Sequence, residues 1–136
     1  MKYRLMDLLA CPICKHFPLE LHVFDSKVVE SDLRPKKCEL YCGYHSSWLE
    51  EMAEEPDCAE CWSREIISGI LFCEKCGRWY PIQEEIPRML PDEFRDRNKD
   101  VEILATWRAR IPLKILKEGK PFNLPEYAGR GRGEKI

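Results

Sequence analysis

Eight cysteines arranged in four close pairs constrain this chain more than any other feature of its 136 residues. Three pairs have two residues between the cysteines and one pair has three, and this spacing lets two thiolates reach the same ion. Two such pairs complete a tetrahedral sulfur site, so eight thiolates suffice for two closed four-sulfur zinc sites. The pairs are Cys11/Cys14, Cys38/Cys42, Cys58/Cys61 and Cys73/Cys76.

A disulfide framework is the alternative, because eight is an even number of cysteines. The N-terminal stretch Met1–Asp7 has neither a long apolar region nor a small-residue cleavage site, so it does not resemble a secretory signal. No stretch approaches the roughly 18 apolar residues that span a bilayer. We therefore predict a cytoplasmic protein without membrane association, in a reducing compartment where paired cysteines favour metal over disulfides.

Length and charge indicate one small domain with appendages rather than a nucleic-acid-binding protein dominated by basic residues. The formal net charge is −2, and charged residues make up 34% of the chain. Sequence-wide basicity is the usual mark of nucleic-acid binding. With four sulfurs per site, no metal coordination position stays open for a substrate, and no nucleophile–base pair stands out. The sequence therefore predicts a metal-stabilised binding module and not an enzyme.

Periodicity predicts a small α+β fold, with a zinc-ribbon-like sheet interrupted by a second four-cysteine insertion. Residues 19–23 alternate as a strand, with a turn at Asp25-Ser26 and a return strand after it. Residues 65–72 are predicted as a hairpin turning at Ser68-Gly69, and Trp79–Ile82 as an aromatic strand. Gly77 after Cys76 is expected to take a positive φ.

The middle and the end of the chain are predicted to be helical in part. Ser47 and Glu50 have the spacing of a capping box, which predicts a short helix that stops at Pro56. Asp92 is predicted to cap a longer helix with an apolar stripe, and Pro112 ends it. The predicted division is a zinc-binding core of residues 1–30 and 63–91, an inserted metal-binding unit of residues 31–62, and a C-terminal helix with an extended tail over residues 92–136.

Two metal pairings are compatible with the cysteine spacing. The nested pairing joins Cys11/Cys14 with Cys73/Cys76 and the two middle pairs with each other, whereas the sequential pairing joins neighbours along the chain. We favour the nested arrangement because it lets the middle stretch fold as a local insertion. His16, His22 and His45 could each replace a sulfur, although four sulfurs per site already balance. Iron is the competing metal, since four-sulfur tetrahedra also hold iron.

Several motifs together resemble the tRNA methyltransferase 112 activator family of small zinc-binding subunits. They are Leu8-Leu9-Ala10-Cys11-Pro12-Ile13-Cys14-Lys15, the run from Glu65 to Cys73, Gly77-Arg78-Trp79-Tyr80-Pro81-Ile82 and Ile86-Pro87-Arg88-Met89-Leu90. The resemblance covers about residues 1–24 and 65–91. This sequence departs from the family pattern at Glu85, where a glycine is common, in the four cysteines of the insertion, and in the extension after residue 91.

The resemblance implies a non-catalytic activator that binds S-adenosylmethionine-dependent methyltransferases with a Rossmann-like fold. Such complexes modify tRNA, ribosomal RNA or a translation factor. It also implies zinc on Cys11, Cys14, Cys73 and Cys76, which supports the nested pairing, and a partner-binding strand at residues 86–90. Adding the middle set, Cys38, Cys42, Cys58 and Cys61, we expect two zinc ions in all. The expected partner-binding residues are Trp79, Tyr80, Ile82, Ile86, Pro87, Met89 and Leu90.

Two expectations remain open at the level of sequence. Arg130 and Arg132 alternate with glycines in a tail that could contact tRNA phosphates on behalf of the methyltransferase. The alternative function is a stand-alone zinc ribbon that binds nucleic acid or the transcription machinery. A clustered basic face would favour this alternative function, and the pair Lys36-Lys37 is too small to form such a face.

Overall fold

The computed structural model of the chain describes residues 1–29 and 38–124, and an antiparallel four-stranded sheet forms its centre. The sheet has the order β1-β4-β5-β6, and β2 and β3 form a separate two-stranded sheet. The strands are β1 (Glu20–Val28), β2 (Tyr41–Cys42), β3 (Ser47–Trp48), β4 (Arg64–Phe72), β5 (Trp79–Gln83) and β6 (Ile86–Pro87). The predicted α+β, zinc-ribbon-like fold is confirmed.

In the part of the chain that the structure describes, three α-helices and four 3-10 helices accompany the strands. The α-helices are α1 (Cys58–Trp62), α2 (Arg97–Thr106) and α3 (Leu113–Glu118). The 3-10 helices span Tyr3–Asp7, Leu49–Glu51, Asp92–Phe94 and Arg108–Arg110. Within residues 1–29 and 38–124, none of the helices combines the length and apolar character that crossing a membrane would require.

Two predicted hairpins are single long strands in the structure. β1 continues through Asp25 and Ser26, and its register with β4 shifts at this point instead of turning back. β4 likewise continues through Ser68-Gly69, and Gly69 pairs with Val23 on one side and Ile82 on the other. The turn residues misled the prediction because tertiary pairing overrides their weak local preference. A Cβ at Gly69 would lie 2.5 Å from the His22 carbonyl oxygen, which explains the glycine as a close approach of strands.

The two faces of the four-stranded sheet are both covered. Core cluster 1 combines the N-terminal 3-10 helix and the first cysteine pair with Tyr80 and Ile82. Core cluster 2 packs Trp79, Ile70 and Phe72 against α2 and α3. Adjacent residues such as Trp79 and Tyr80 enter different clusters because strand side chains alternate between faces.

The predicted C-terminal helix forms, but it begins later than expected. Asp96 caps α2 by accepting hydrogen bonds from the backbone N–H groups of Asn98 and Lys99, whereas Asp92 lies in a 3-10 helix and pairs with Arg78. The tail predicted to be extended after Pro112 instead forms α3 over Leu113–Glu118, which packs on the sheet. The Trp79 indole N–H donates to the Phe122 carbonyl oxygen at 2.9 Å and fixes this return.

In the inserted stretch, the helix predicted before Pro56 is only the 3-10 helix Leu49–Glu51, and the unpredicted α1 (Cys58–Trp62) forms after Pro56. Ser47 lies in β3, its hydroxyl donates to the His45 carbonyl oxygen, and it does not cap the 3-10 helix that follows. Tyr41 and Trp48 lie in edge-to-face contact and belong to core cluster 1, so this stretch packs on the main core. The predicted domain boundaries stay a prediction. Lys36-Lys37, Arg130 and Arg132 lie outside the described residues.

Candidate metal centre and partner surface

The two outer cysteine pairs converge on one point. The sulfur atoms of Cys11, Cys14, Cys73 and Cys76 all lie within 4.8 Å of one another. The Cys11–Cys76 and Cys14–Cys73 sulfurs are 3.7 Å and 3.4 Å apart. Zinc–sulfur bonds of about 2.3 Å in a tetrahedron place sulfurs about 3.8 Å apart, so this set fits a zinc ion closely. The convergence is that of the nested pairing.

Both pairs present their sulfurs from the same backbone turn. In the first turn the Cys11 N–H donates to the His16 carbonyl oxygen at 2.9 Å, and the Lys15 N–H donates to the Cys11 carbonyl oxygen at 2.8 Å. Cys73 makes the matching bonds with Arg78 and Gly77 at 2.8 and 2.9 Å. The residue after the second cysteine has a positive φ in both turns, 67° at Lys15 and 79° at Gly77. The prediction for Gly77 is confirmed.

Hydrogen bonds stabilise negative charge on the Cys11 sulfur. Burial alone would raise the pKa of this thiol, but backbone N–H groups at Cys14 and Ile13 and the Tyr80 hydroxyl outweigh it and lower the pKa to about 6. The Tyr80 O–H lies 3.3 Å from the sulfur, and the side chain of Tyr80 is fully buried. Because the thiolate is the form that binds metal, this environment prepares Cys11 as a ligand.

Burial acts in the opposite direction at Cys73. It raises the pKa of this thiol to about 12, and the neighbouring thiols Cys14 and Cys76 contribute in the same direction. A divalent cation among the four sulfurs would reverse this effect, since coordination deprotonates a thiol outright. Arg78 supplies positive charge at the rim, where it contacts Cys76 and forms a bidentate ion pair with Asp92 at 2.9–3.2 Å.

The four middle cysteines lie in a second region, and their sulfur atoms do not all come within 4.8 Å of one another. Among residues 1–29 and 38–124, the outer set alone brings three or more possible metal donors within 4.8 Å of one another. Cys38, Cys42, Cys58 and Cys61 nevertheless interact electrostatically, and burial raises the pKa of Cys38 to about 11 and that of Cys61 to about 12. No histidine joins the converged set. His22 contacts Glu20, and His45 accepts a hydrogen bond from the Asp57 N–H.

The predicted partner-binding residues fall into two groups. Trp79, Tyr80 and Ile82 are at most 1% exposed, so they support the surface from beneath and are not available for contact in this structure. From Ile86 to Leu90 the exposure alternates as in a strand. Ile86 and Leu90 face outward at 54% and 45% exposure, whereas Pro87 and Met89 are half-buried and Met89 packs on core cluster 1.

The sequence places Phe94 on an apolar helix stripe that packs on the core or faces a partner, and in the structure Phe94 lies outside that helix on the exposed surface beside Leu90. Phe94 is 67% exposed on the 3-10 helix Asp92–Phe94, which the Arg78–Asp92 ion pair holds against the sheet. With Leu90 and Arg88 it lines an open depression of about 390 Å³ beside β6. Phe94 lies outside the stripe because α2 is capped by Asp96 and not by Asp92.

The turn before β6 explains the departure at Glu85. Glu84 and Glu85 both have positive φ, 51° and 68°, and they join the paired residues Gln83 and Ile86 as a two-residue hairpin turn. Glycine or asparagine is usual at such positions. The Glu85 carboxylate pairs with Lys27 at 3.0 Å, and its N–H donates to the Ile67 carbonyl oxygen at 3.0 Å. The turn therefore forms without the glycine and presents β6 at the sheet edge.

Comparison with known proteins agrees with this geometry. The profile of the Trm112p-like protein family matches residues 2–85, which is more than half of the chain and includes all eight cysteines and strands β1 to β5. No curated protein matches the chain. The resemblance to the tRNA methyltransferase 112 activators is thereby confirmed, and the chain belongs to the Trm112p-like protein family.

Proposed function

We propose that the chain is a non-catalytic, zinc-binding subunit that binds and activates an S-adenosylmethionine-dependent methyltransferase with a Rossmann-like fold. Family membership supports the role of a small methyltransferase activator, and the four converged cysteines support a metal ion. The substrates that we propose for the complex are tRNA, ribosomal RNA or a translation factor, in the cytoplasm. The observation that carries the partner surface is the exposure of two apolar side chains at the sheet edge, Ile86 on β6 and Leu90 just after it.

Zinc would act here through structure. Cys11 and Cys14 precede β1, and Cys73 and Cys76 form the turn between β4 and β5. The start of β1 pairs with the end of β4, so one ion would join these two segments at one end of the sheet. Four protein sulfurs fill a tetrahedral zinc and leave no position for a substrate. Structural zinc contributes folding free energy directly, roughly 10–16 kcal/mol in small zinc-finger peptides. We therefore expect chelation to unfold the sheet and to remove partner binding with it.

The edge of the sheet supplies the physical basis for partner binding. β6 is the last strand of the order β1-β4-β5-β6, and its inner side pairs with β5 through the Arg88 N–H and the Pro81 carbonyl oxygen at 2.8 Å. An edge strand presents unpaired main-chain groups that a second sheet can extend. Outward-facing Ile86 and Leu90, with Phe94 beside them, provide apolar contacts alongside that main-chain pairing.

Activation follows from covering an apolar surface on the methyltransferase. The rigid frame beneath the edge, with Trp79, Tyr80 and Ile82 fully packed, keeps β6 in its bound shape before the partner arrives. Such preorganisation reduces the entropy lost on binding. A sheet extended in this way would stabilise the cofactor-bound shape of the catalytic subunit.

The experiment is an affinity pull-down of the tagged chain from its native host, with mass spectrometry of the co-purifying proteins. A methyltransferase recovered in near-equal amount is the expected result. The recombinant pair is then tested with Leu90→Asp, which we expect to weaken binding by at least tenfold, because burial of a leucine side chain is worth roughly 1.5–3 kcal/mol. Cofactor affinity of the methyltransferase should fall in parallel.

Leu113→Asp is the matched control, since Leu113 on α3 is 43% exposed and Leu90 is 45% exposed. It places the same charge on a different surface and should leave affinity within twofold. Equal effects of both variants would reject β6 as the interface. Recovery of RNA polymerase or ribosomal components without any methyltransferase would instead favour the stand-alone zinc ribbon.

A further inference from the structure

The inserted stretch gathers its two cysteine pairs from different local elements. Cys42 ends β2, and Cys38 precedes that strand by a short loop. Cys58 and Cys61 lie three residues apart in α1, so both sulfurs occupy one side of a single helical turn. The hairpin and the helical turn can each supply two sulfurs. Together these four ligands can surround an ion tetrahedrally.

Asp7 holds the loop that carries the first of these pairs. Its carboxylate accepts hydrogen bonds from the backbone N–H groups of Glu39, Leu40 and Tyr41 at 2.8, 2.9 and 2.8 Å. These three residues are the ones between Cys38 and Cys42. The side chain of Asp7 is buried, at 7% exposure, which strengthens the preference for satisfied acceptors. The backbone of the cysteine loop is thereby shaped by a residue of the N-terminal 3-10 helix.

Two further contacts bring the helix and the hairpin together. Gly43 follows Cys42 directly, and a Cβ there would lie 2.6 Å from Met6 Cβ and from the Tyr3 carbonyl oxygen. The loop therefore rests on the N-terminal 3-10 helix, which α1 also contacts. His45 Nε2 accepts a hydrogen bond from the Asp57 N–H at 3.2 Å, and Asp57 caps α1. Neither contact involves a cysteine, yet both determine where the cysteines lie.

Two of the four thiols are buried and the other two are partly exposed. Cys42 and Cys61 are 4% and 7% exposed, and Cys38 and Cys58 are half-buried. Buried free thiols can serve as small apolar groups, but that role requires neither the close spacing within each pair nor the loop geometry around Asp7. The four sulfurs are not within 4.8 Å of one another, so an ion would have to draw them to about 3.8 Å.

From this placement we propose that Cys38, Cys42, Cys58 and Cys61 bind a second zinc ion, separate from the first, and that Asp7 positions the loop for it. Ion binding closes the hairpin and α1 around the metal. The inference does not depend on the proposed partner, because its readouts are metal content and thiol protection.

The test begins with the full-length chain purified without chelator. Elemental analysis should find about two zinc ions per chain, and the double variant Cys58→Ser/Cys61→Ser should retain about one. Alkylation followed by peptide mass spectrometry should find all eight thiols of the zinc-loaded protein protected. One zinc per chain in the unmodified protein, with the middle four thiols reacting freely, would overturn the proposal, as would a disulfide among them.

Asp7→Asn provides a second test that leaves every cysteine in place. The amide retains one acceptor oxygen but points N–H groups at a backbone donor, so we expect the middle four thiols to lose protection at least tenfold faster under a chelator. The outer four should be protected as before. Asp25→Asn, at an exposed position of β1, is the control. Unchanged protection of the middle thiols in Asp7→Asn would refute the positioning role, and uniform loss at all eight thiols would show general destabilisation instead.

Discussion

The hydroxyl of Tyr80 offers the most direct test of how the protein tunes its outer cysteine site. Tyr80→Phe removes one O–H that lies 3.3 Å from the Cys11 sulfur and leaves the aromatic ring in place. Tyr80 is fully buried, so water cannot replace the lost donor. We expect weaker zinc binding at Cys11, Cys14, Cys73 and Cys76, with little change in the sheet.

The magnitude follows from the charge of the acceptor. Hydrogen bonds to charged groups contribute roughly 1.5–3 kcal/mol, and a long bond to sulfur belongs at the lower end of that range. A loss of about 1.4 kcal/mol is tenfold in affinity, and removal of groups that hydrogen-bond to metal ligands costs roughly 10–100-fold. The defect should grow as the pH falls from about 8 towards the Cys11 pKa of about 6, because the Cys11 pKa rises in the variant and protons compete better with zinc.

The assay is zinc competition with a chromophoric chelator, combined with alkylation mapping that shows which thiols become reactive as zinc leaves. Tyr3→Phe is the control, since Tyr3 packs on the same core cluster from the 3-10 helix. The reasoning is refuted if Tyr80→Phe and Tyr3→Phe release zinc from the outer cysteines at the same chelator concentration within twofold. It is also refuted if the Tyr80→Phe defect does not depend on pH.

Three further predictions concern stability. Glu85→Gly should raise the free energy of unfolding by about 1 kcal/mol in chemical denaturation, because a φ of 68° is strained for any residue with a Cβ. No gain in stability would mean that the Glu85–Lys27 ion pair outweighs the strain. Asp100→Ala should lower the free energy of unfolding by roughly 3–5 kcal/mol, seen as a lower Tm, because it leaves the Arg95 guanidinium buried without its carboxylate. A loss of less than about 1 kcal/mol would contradict this reasoning. Leu104→Ala should cost roughly 2–5 kcal/mol and expose the C-terminal helices to limited proteolysis, and unchanged cleavage would show that they do not depend on core cluster 2.

The buried Arg95–Asp100 ion pair joins helix α2 to strand β5 of the sheet. The Arg95 guanidinium donates to the Asp100 carboxylate at 2.8 Å and to the Trp79 carbonyl oxygen at 2.7 Å, and it lies over the Trp79 ring at 4.6 Å. Burial raises the pKa of Asp100 although Arg95 opposes this effect. The region after the family match is thus built onto the aromatic strand of the core.

The sequence alone determined the local turns of the outer cysteine pairs, and the fold decided that these two pairs converge. Cysteines with two residues between them can present two sulfurs to one ion, and a glycine after Cys76 permits the positive φ of that turn. The strand predicted at Trp79–Ile82 also follows from local pattern, and it forms as Trp79–Gln83. These features depend on a few neighbouring residues, so they are encoded where they occur.

Tertiary structure decided what depends on distant partners. Asp25-Ser26 and Ser68-Gly69 have the composition of turns, yet pairing of β1 with β4 along nine residues outweighs that preference. Asp7 is separated from the cysteine loop by more than 30 residues, and its three N–H partners are visible only in the fold. Burial likewise removed Trp79 and Tyr80 from the predicted partner surface and left Phe94 exposed, because which strand face is covered depends on helices that pack from elsewhere in the chain.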